Sequence, residues 1–293
     1  MKRIWNNKHY IATEAARITG WIYAFAGFIG MLAPLDELLP KTISMGLRVF
    51  VSLVIFIGVW IICFIGFSVY FLIKKRVTVF SVNNGHALYL QYGNIFNSKE
   101  IVKNNKQRNI VIPVNCCFDT HLNDQIVSEQ TLHGMVLKKL YSSGLYTEES
   151  LSKLIETQLS KTEYDNLSDC DRPNRKLKRY PIGTIVDLPG VGDEHYFLYA
   201  LSIFDKNMNA QTTMENYALA VQRLIEACNS ESEGFPIVLP LIGTGLSRTK
   251  KNECDVLRYL ISAFRLNKDE INSDIHIVVR DDLKDNIPIL DIT

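Results

Sequence analysis

Two short polar loops, each directly after an apolar run, carry the residues best suited to binding chemistry. One of them follows the run FPIVLPL and precedes a segment with a helical pattern. Its two glycines let the backbone approach a ligand, and a helix start behind it adds positive partial charge. These features predict an anion cradle, most often for phosphate, with a plain tight turn as the alternative. The residues of this loop are Gly243, Thr244, Gly245, Leu246 and Ser247.

The other loop begins directly after the run NIVIPV. Asn115, Asp119 and Thr120 offer an amide, a carboxylate and a hydroxyl, which suit the hydroxyls of a ribose. An Asx turn that satisfies only its own backbone is the alternative for Asn115. Phe118 either stacks on a ligand ring or packs in the core.

Motifs for covalent or metal chemistry are missing from this sequence. The glycine loop lacks the lysine of a P-loop and the third glycine of a dinucleotide-binding fold. The spacing shows no Ser-His-Asp set and no nucleophile elbow, although Asp119 with His121 or His133 remains a candidate acid–base set. The six cysteines and six histidines show no metal-ligand spacing, so we expect no catalytic residue, no metal, no cofactor and no disulfide framework.

Alternating strand and helix patterns after Arg76 must position these loops. A hairpin with Asn84-Gly85 at its turn comes first, and a capping box at 212–215 opens a later helix. The predicted strands are 77–82, 87–92, 109–114, 183–188, 196–202, 235–241 and 275–279, and the predicted helices are 128–141, 147–160, 212–228 and 250–265. This order predicts an α/β fold with a mixed sheet and helices on both faces. In such folds ligands bind beyond the carboxyl ends of the strands.

A polar segment at 165–180 interrupts this pattern and crowds five basic side chains together: Arg172, Arg175, Lys176, Lys178 and Arg179. Such a segment most often forms a solvated loop. The alternative is that its basic side chains contact lipid headgroups or ligand phosphates.

The near-neutral net charge of +1 conceals two opposite parts. The first 76 residues hold nine basic and three acidic side chains, a net charge of +6, and the other 217 residues hold 23 basic and 28 acidic ones, a net charge of −5. The total excludes a strongly basic nucleic-acid binder. The basic part also contains two uncharged runs, Val49 to Ile73 with 25 residues and Ile18 to Leu35 with 18.

Both uncharged runs are long enough to cross a bilayer, since about 20 apolar residues span its hydrocarbon core. A cleavable signal peptide is the main rival for the first run, but its position is too deep and another span follows at once. Basic residues flank the outer ends of the pair, which places both chain ends in the cytoplasm. We therefore predict a two-helix transmembrane hairpin at 1–76, with spans at about 18–35 and 49–73, and a cytosolic domain at 77–293.

Three stretches of the soluble part resemble a macro domain, the ADP-ribose-binding α/β fold. Gly93-Asn94-Ile95 resembles the Gly-Asp-Ile that contacts adenine in that family, Asn115 matches the asparagine of its first ligand loop, and Gly243-Thr244-Gly245 resembles its diphosphate loop. The resemblance implies that Asn94 and Ile95 face adenine. It also implies a diphosphate at 243–247 and a distal ribose at Asn115, Asp119 and Thr120.

Over its whole length the chain resembles the membrane-anchored macro-domain effectors of type II Thoeris bacterial anti-phage defence. The two predicted spans within 1–76 carry this resemblance, together with three motifs: VIPVNxxFDT (111–120), Leu132-His133-Gly134 and PLIGTGLSR (240–248). It implies a TIR-domain partner that consumes NAD and makes a histidine–ADP-ribose conjugate. The macro domain would bind this signal, and the effector would then damage the host membrane. Arg248 is a candidate partner for a carboxylate of the conjugate.

Two departures from the macro-domain pattern affect the expected chemistry. Asn94 replaces the usual Asp, although an amide oxygen can still accept a hydrogen bond from the adenine amino group. Cys116-Cys117-Phe118 stands in place of the Ala- and Gly-rich first loop of hydrolytic macro domains. This departure argues against ADP-ribosyl hydrolase activity. It favours a ligand that carries a different substituent on its distal ribose.

The resulting hypothesis is a signal-gated effector of the bacterial inner membrane, which is not an enzyme. Ligand binding would favour a homo-oligomer whose clustered spans disrupt the bilayer, leading to abortive infection; nucleic acid is not an expected partner. The alternatives are a membrane-tethered ADP-ribosyl hydrolase with Asp119 as its base, and a module that recruits ADP-ribosylated proteins to the membrane.

Overall fold

The computed structural model describes residues 2–32, 44–102, 107–123, 126–168, 175–204, 210–243 and 251–292. The helices are α1 (Lys2–Asn6), α2 (Lys8–Leu32), α3 (Met45–Ile73), α4 (Leu132–Ser142), α5 (Glu148–Gln158), α6 (Met214–Ser230), α7 (Glu253–Leu266) and α8 (Ile289–Ile292). The strands are β1 (Arg76–Ser81), β2 (Ala87–Tyr92), β3 (Arg108–Asn115), β4 (Asp165–Asn166), β5 (Lys178–Arg179), β6 (Ile185–Pro189), β7 (Glu194–Phe204), β8 (Ala210–Gln211), β9 (Ile237–Pro240) and β10 (Ile275–Val279).

The chain divides into two compact units at the junction of Lys75 and Arg76. The first unit contains the residues up to Lys75 and also the tail Lys284–Asp291. The second unit contains Arg76–Leu283 and the end of the chain. The sequence places all of 77–293 in one domain, so the return of the tail to the first unit differs from that expectation.

Helix α3 is the most apolar element of the first unit. It has 29 residues, and large apolar side chains such as Phe50 and Ile62 are exposed along it. Among the described residues it is the one helix that is long and apolar enough to cross a membrane. The predicted span 49–73 lies within α3 and shares its last residue, Ile73.

Helix α2 begins at Lys8, ten residues before the predicted span at Ile18. Its first half is amphipathic and buries Ile11 and Ala15 completely, so packing extends the helix beyond the uncharged run. Through Leu32, where the described part of the helix ends, α2 is not among the candidate membrane spans. The end of the predicted span, 33–35, lies outside the described residues.

The two long helices of the first unit run antiparallel. Tyr10 of α2 contacts Phe67 of α3 with ring centroids 5.9 Å apart, and Tyr23 contacts Phe56 at 5.1 Å. Contacts that advance along α2 therefore retreat along α3. The Tyr10 hydroxyl also donates to the Leu290 carbonyl at 2.9 Å, which ties the tail of the chain to α2. Burial, reinforced by the charge of Glu14, raises the pKa of Tyr10 to about 12.

The second unit is built on one mixed sheet. Its strand order is β1-β2-β10-β9-β3-β7-β6, and β8 pairs with β7. The five central strands, from β2 to β7, are mutually parallel, while β1 and β6 pair antiparallel at the two sides. The predicted mixed sheet flanked by helices is confirmed.

Helical crossovers connect the parallel strands, as this topology requires. Helices α4 and α5 lie between β3 and β6, α6 between β8 and β9, and α7 between β9 and β10. Fully buried aliphatic side chains from strands and helices form the core. They include Ile110, Ile112, Val238, Leu224, Leu257 and Leu260.

The predicted start of α6 is wrong by one residue. Thr213 is the N-cap, because its side chain accepts the Asn216 N–H at 3.2 Å. The Thr212 hydroxyl instead donates to the Leu201 carbonyl at 2.5 Å, which fastens the helix entry to β7. A capping box at 212–215 is therefore not formed.

Candidate ligand-binding site

The parallel strands bring the predicted ligand segments to one edge of the sheet. Strands β2, β10, β9 and β3 all end there, because each is parallel to its neighbour. The Gly93 N–H donates to the Val279 carbonyl at 3.0 Å, and the Leu241 N–H donates to the Val278 carbonyl at 3.3 Å. The segments that follow β2 and β9 are thus fixed to the end of β10, where ligands of α/β sheets bind.

Gly243 begins the glycine loop in a conformation that suits glycine. Its φ is +87°, and an added Cβ would lie 2.6 Å from the Tyr217 ring. The Tyr217 hydroxyl donates to the Ile242 carbonyl at 3.3 Å, which holds the start of the loop against α6. The other predicted residues of this segment, Thr244, Gly245, Leu246, Ser247 and Arg248, lie outside the described residues.

Helix α7 begins at Glu253, three residues later than predicted. The Asn252 side chain caps it by accepting the Cys254 N–H at 2.8 Å. Glu253 and Asp255 in the first turn already place negative charge at the positive end of this helix. An anion in the glycine loop would therefore depend mainly on the amides of the loop itself.

Asn115 forms a tight, buried turn at the end of β3. Its side-chain oxygen accepts the Cys117 N–H at 3.0 Å, and its carbonyl accepts the Phe118 N–H at 3.0 Å. The Asx turn named as the alternative is therefore formed. The side-chain NH₂ group makes no hydrogen bond within the described part of the chain, so this donor stays available to a ligand.

Phe118 packs in the core, the second of its two predicted placements. It is 1% exposed and contacts Tyr180 edge-on, with ring centroids 5.8 Å apart. Its φ of +49° lies in the left-handed region, which is uncommon for a bulky residue. The surrounding packing must hold this conformation, as is common at ligand sites.

Asp119 and Thr120 continue the same buried loop and are 3% and 4% exposed. The Thr120 carbonyl accepts a hydrogen bond from the Tyr141 hydroxyl at 2.6 Å, which attaches the loop to α4. The polar residues predicted to contact a ribose therefore belong to one buried loop rather than to a mobile surface.

The basic segment predicted as a solvated loop returns to this same loop. The Tyr180 N–H donates to the Cys116 carbonyl at 2.8 Å. Burial lowers the pKa of Lys176, and the negative charges of Glu156 and Asp119 oppose that shift. Lys176 thus lies near the carboxylate of Asp119, in the loop that is predicted to bind a ribose. The sequence does not indicate this proximity, because no spacing pattern connects residues so far apart in the chain.

The two histidines of the candidate acid–base set have different environments. His121 is exposed and contacts the Glu148 carboxylate at 2.9 Å. Burial, with the nearby charge of Lys176, lowers the pKa of His133 to about 3, so this imidazole is neutral and a weak base at neutral pH. Burial also raises the pKa of the Cys116 thiol to about 12. In the described part of the chain, no three His, Cys, Asp or Glu side chains are grouped to hold a metal ion.

Asn94 is exposed at the end of β2, and its side-chain oxygen accepts the Phe96 N–H at 3.0 Å. An amide oxygen has two lone pairs, so one remains for a ligand donor. Ile95 beside it is buried. The predicted adenine contacts thus consist of one exposed amide and one buried apolar side chain.

Comparison with known proteins identifies a family whose sequence pattern this chain matches. The family model for the macro domain of Thoeris protein ThsA matches residues 88–280, which includes most of β2, all of β10 and every strand between them along the chain. Thoeris protein ThsA from Bacillus amyloliquefaciens (strain Y2) is 28% identical over 215 residues, covering 70% of this chain and 67% of that protein.

Similar solved structures include three forms of the Oceanobacillus iheyensis macrodomain. One mutant is 9% identical with a TM-score of 0.47, covering 74% of this chain and 91% of its own. Another mutant is 12% identical with a TM-score of 0.48, covering 75% and 96%. The form with MES bound is 11% identical with a TM-score of 0.46, covering 74% and 95%.

Proposed function

The chain belongs to the Thoeris ThsA macro-domain family, and from this membership we propose that it is an anti-phage defence effector that binds an ADP-ribose-derived signal. The observation that carries the proposal is that three segments predicted to bind ligand begin at one edge of the sheet, the third of them described only as far as Gly243. These segments follow β2, β3 and β9, and all of them lie within the region that matches the family.

Each segment takes a distinct part of the ligand in this proposal. Asn94 and Ile95 face adenine, and the diphosphate lies on the amides of 243–247. Asn115, Asp119 and Thr120 hold the distal ribose, and Phe118 forms the wall behind them. Arg248 pairs with a carboxylate on the conjugated group. Two features support this arrangement: the NH₂ group of Asn115 makes no hydrogen bond within the described residues, and Gly243 has the positive φ that lets a backbone turn closely around a ligand.

Calorimetry of the detergent-solubilised full chain with ADP-ribose tests the binding step. Gly243→Ala is the informative variant, because a Cβ at φ +87° would be strained and would collide with the Tyr217 ring. We expect ADP-ribose to bind the unmodified chain and its affinity to fall at least about tenfold in Gly243→Ala, since misplacement of the loop removes charge-assisted hydrogen bonds worth about 1.5–3 kcal/mol each.

Gly192→Ala is the matched control for that experiment. Gly192 also has a positive φ, +72°, but no atom lies within 4 Å of an added Cβ, and it belongs to the turn between β6 and β7. The affinity of the Gly192→Ala variant for ADP-ribose should equal that of the unmodified chain. Absence of binding to the unmodified chain, or equal losses in both variants, would contradict the proposed site.

The signal in this proposal is a histidine–ADP-ribose conjugate made by a TIR-domain partner. Titration with the conjugate and with plain ADP-ribose distinguishes a dedicated signal from general ADP-ribose binding. The conjugate should bind more tightly. Equal affinities would contradict the assignment of a conjugated signal and would leave ADP-ribose binding in place.

The effector part of the proposal is a two-span hairpin in the inner membrane. Exposed apolar side chains on α3 support one span, and Trp21, Phe25 and Phe28, which are exposed on α2, support the other. Basic residues at both outer ends place the macro domain in the cytoplasm. Signal binding then favours a homo-oligomer whose clustered spans disrupt the bilayer.

Dye release from vesicles containing the full chain tests this effector step. Addition of the histidine–ADP-ribose conjugate should release the dye, and Gly243→Ala should release less at the same conjugate concentration. Size-exclusion chromatography of detergent-solubilised protein should show a shift to larger species on addition of the conjugate. An intact vesicle population with saturated protein would contradict membrane disruption.

We propose that the site binds its ligand without turnover. The Cys116 thiol is protonated at neutral pH, and the neutral His133 imidazole is a weak base. Asp119 is the remaining candidate base in the loop that is predicted to bind a ribose. Chromatography of ADP-ribosylated peptide after incubation with the full chain should show no hydrolysis. Hydrolysis that disappears in Asp119→Ala would establish the enzyme alternative.

A further inference from the structure

The Gln91 side chain connects two charged groups inside the macro domain. It is 1% exposed, and its oxygen accepts hydrogen bonds from Arg76 Nε at 2.6 Å and from His276 Nδ1 at 3.2 Å. Its NH₂ group donates to the Glu100 carbonyl at 2.8 Å and to Glu100 Oε2 at 2.9 Å. Two donors and two lone pairs are thereby all in use, so the orientation of this amide is fixed.

His276 completes this arrangement as a neutral group. Burial, reinforced by the positive charge of Arg76, lowers the pKa of His276 to about 4. Because the Gln91 oxygen can only accept, the His276 proton must lie on Nδ1. Arg76 and Glu100 are therefore the charged members of the cluster. They also contact each other through a hydrogen bond from Arg76 Nη2 to the Glu100 carbonyl at 2.5 Å.

The Glu100 carboxylate lies directly against the turn assigned to adenine. Glu100 Oε1 accepts the Asn94 N–H at 3.4 Å. A Cβ on Gly93 would lie 2.2 Å from the same oxygen, so the backbone of the turn is in immediate contact with the carboxylate. The long hydrogen bond leaves room for it to shorten when a ligand orders the turn.

Arg76 is the third residue after Ile73, the last residue of α3, and it begins β1. It lies opposite Gln91 in the antiparallel pairing of β1 with β2. The side chains of Glu100, Gln91 and Arg76 therefore form a continuous chain of hydrogen bonds from the Gly93–Asn94 turn to the first residue of β1, three residues after the apolar helix.

We infer that Arg76, Gln91 and Glu100 are positioning residues that couple occupancy of the Gly93–Asn94 turn to the start of β1, and so to the end of α3. The inference rests on the proposed function, because it takes an ADP-ribose compound as the ligand of the turn. Ordering of the turn tightens its contact with Glu100, and Gln91 transmits the altered position to Arg76. Such coupling is a free-energy difference between two states that ligand and membrane helix both affect.

Hydrogen–deuterium exchange of the full chain in detergent micelles, with and without ADP-ribose, tests this coupling. Saturating ADP-ribose should slow exchange at 93–97, the turn itself, and also at 76–81, the strand after α3. We expect the slowing at 76–81 to be at least about fivefold, which is the lower end of typical coupling between sites. Exchange reports the local opening of backbone hydrogen bonds, so the two regions are measured separately.

Gln91→Met tests the route, since methionine keeps the length of the side chain and removes all four hydrogen bonds. At ADP-ribose concentrations that saturate this variant, protection at 93–97 should remain and protection at 76–81 should disappear. Asn109→Leu is the matched control. It removes another buried amide of the same sheet, which donates to the Ser232 carbonyl at 2.9 Å, and it should keep both protections.

Arg76→Lys is a second variant for the case in which Gln91→Met fails to fold. It keeps the charge but lacks the guanidinium fork that reaches Gln91 and Glu100 together. Protection at 76–81 should fall by at least half, with 93–97 unaffected. Unchanged protection of 76–81 in a folded variant at either position would overturn the coupling.

The pattern of protection separates this inference from the function on which it rests. If ADP-ribose protects neither region and gives no heat in calorimetry, the proposed function fails and the coupling fails with it. If 93–97 is protected and 76–81 is not, the binding function stands and the coupling is wrong.

Discussion

The Gly93–Asn94 turn and the Asn115–Phe118 turn share their local chemistry and differ in what surrounds them. Each follows a buried strand at the same edge of the sheet. In each, an asparagine oxygen accepts a backbone N–H two residues later, that of Phe96 or of Cys117, at 3.0 Å. The first turn is exposed and leans on the Glu100 carboxylate, whereas the second is buried.

This difference teaches that the residue type does not decide the role of such a turn. The buried turn holds Phe118 at a positive φ and is attached to β7 through the Cys116 N–H, which donates to the Ser202 carbonyl at 2.9 Å. It should behave as a rigid wall. The exposed turn has a long contact with Glu100 and should adjust to its ligand. Substitutions in the wall should therefore reduce stability as well as binding, and substitutions in the exposed turn should reduce binding with little loss of stability.

The largest expected difference between the turns comes from their phenylalanines. Phe118→Ala should lower the free energy of unfolding by about 3–5 kcal/mol, because it leaves a cavity in the core. Phe96→Ala should lower it by less than about 2 kcal/mol, because Phe96 is only half-buried. Urea unfolding of the full chain in detergent measures both values. Equal losses would contradict the distinction between wall and adjustable turn.

Acid should affect both sides of the comparison, through one buried histidine on each. The pKa values of His133 and His276 are lowered to about 3 and about 4, below the value near 6.5 in an unfolded chain. As the pH falls below 6.5 the unfolded state takes up protons that the folded state does not. The free energy of unfolding should then fall by about 1.4 kcal/mol per pH unit for each histidine, down to its folded pKa.

Denaturation midpoints between pH 7 and pH 3 measure this effect. His133→Gln and His276→Gln should each give a shallower decline than the unmodified chain, and the benefit of His133→Gln should continue to lower pH. Slopes identical to that of the unmodified chain would show that these imidazoles are not the groups that titrate.

The smallest expected difference concerns the two asparagines. Asn115→Ala leaves the buried Cys117 N–H without its acceptor and should cost about 1–3 kcal/mol of stability. Asn94→Ala changes an exposed turn and should cost less than about 0.5 kcal/mol, while the affinity for ADP-ribose falls. Thermal unfolding and calorimetry on the same preparations separate the two effects. A stability loss in Asn94→Ala as large as that in Asn115→Ala would contradict the distinction between the exposed turn and the buried wall.

Regular elements with a strong pattern were predictable from the sequence. The hairpin around Gly85, the strand β3 and the strand β10 follow alternation or continuous apolar runs, and the structure reproduces them. Gly85 has a φ of +85°, as its turn requires. The local hydrophobic period and the turn residues determine such elements. Packing against their neighbours in the sheet stabilises the same conformation that the local pattern favours.

Features that depend on distant packing were not predictable. The charged first half of α2 is helical because Ile11 and Ala15 are buried, and the uncharged run gives no indication of this. The adjacent threonines 212 and 213 both satisfy a capping pattern, and only the hydrogen bond to Leu201 decides between them. The position of Lys176 near Asp119 depends on the path of a whole polar segment. Patterns of one segment cannot encode these contacts.

The tail Lys284–Asp291 has a consequence for the architecture of the chain. Since the first unit contains both the residues before Arg76 and the tail Lys284–Asp291, the macro domain is inserted between two segments of that unit. Two covalent connections, Lys75–Arg76 and Leu283–Lys284, join the segment Arg76–Leu283 to the first unit. An exchange of sensor domains between such proteins would therefore have to preserve both junctions, as in the replacement of a cassette.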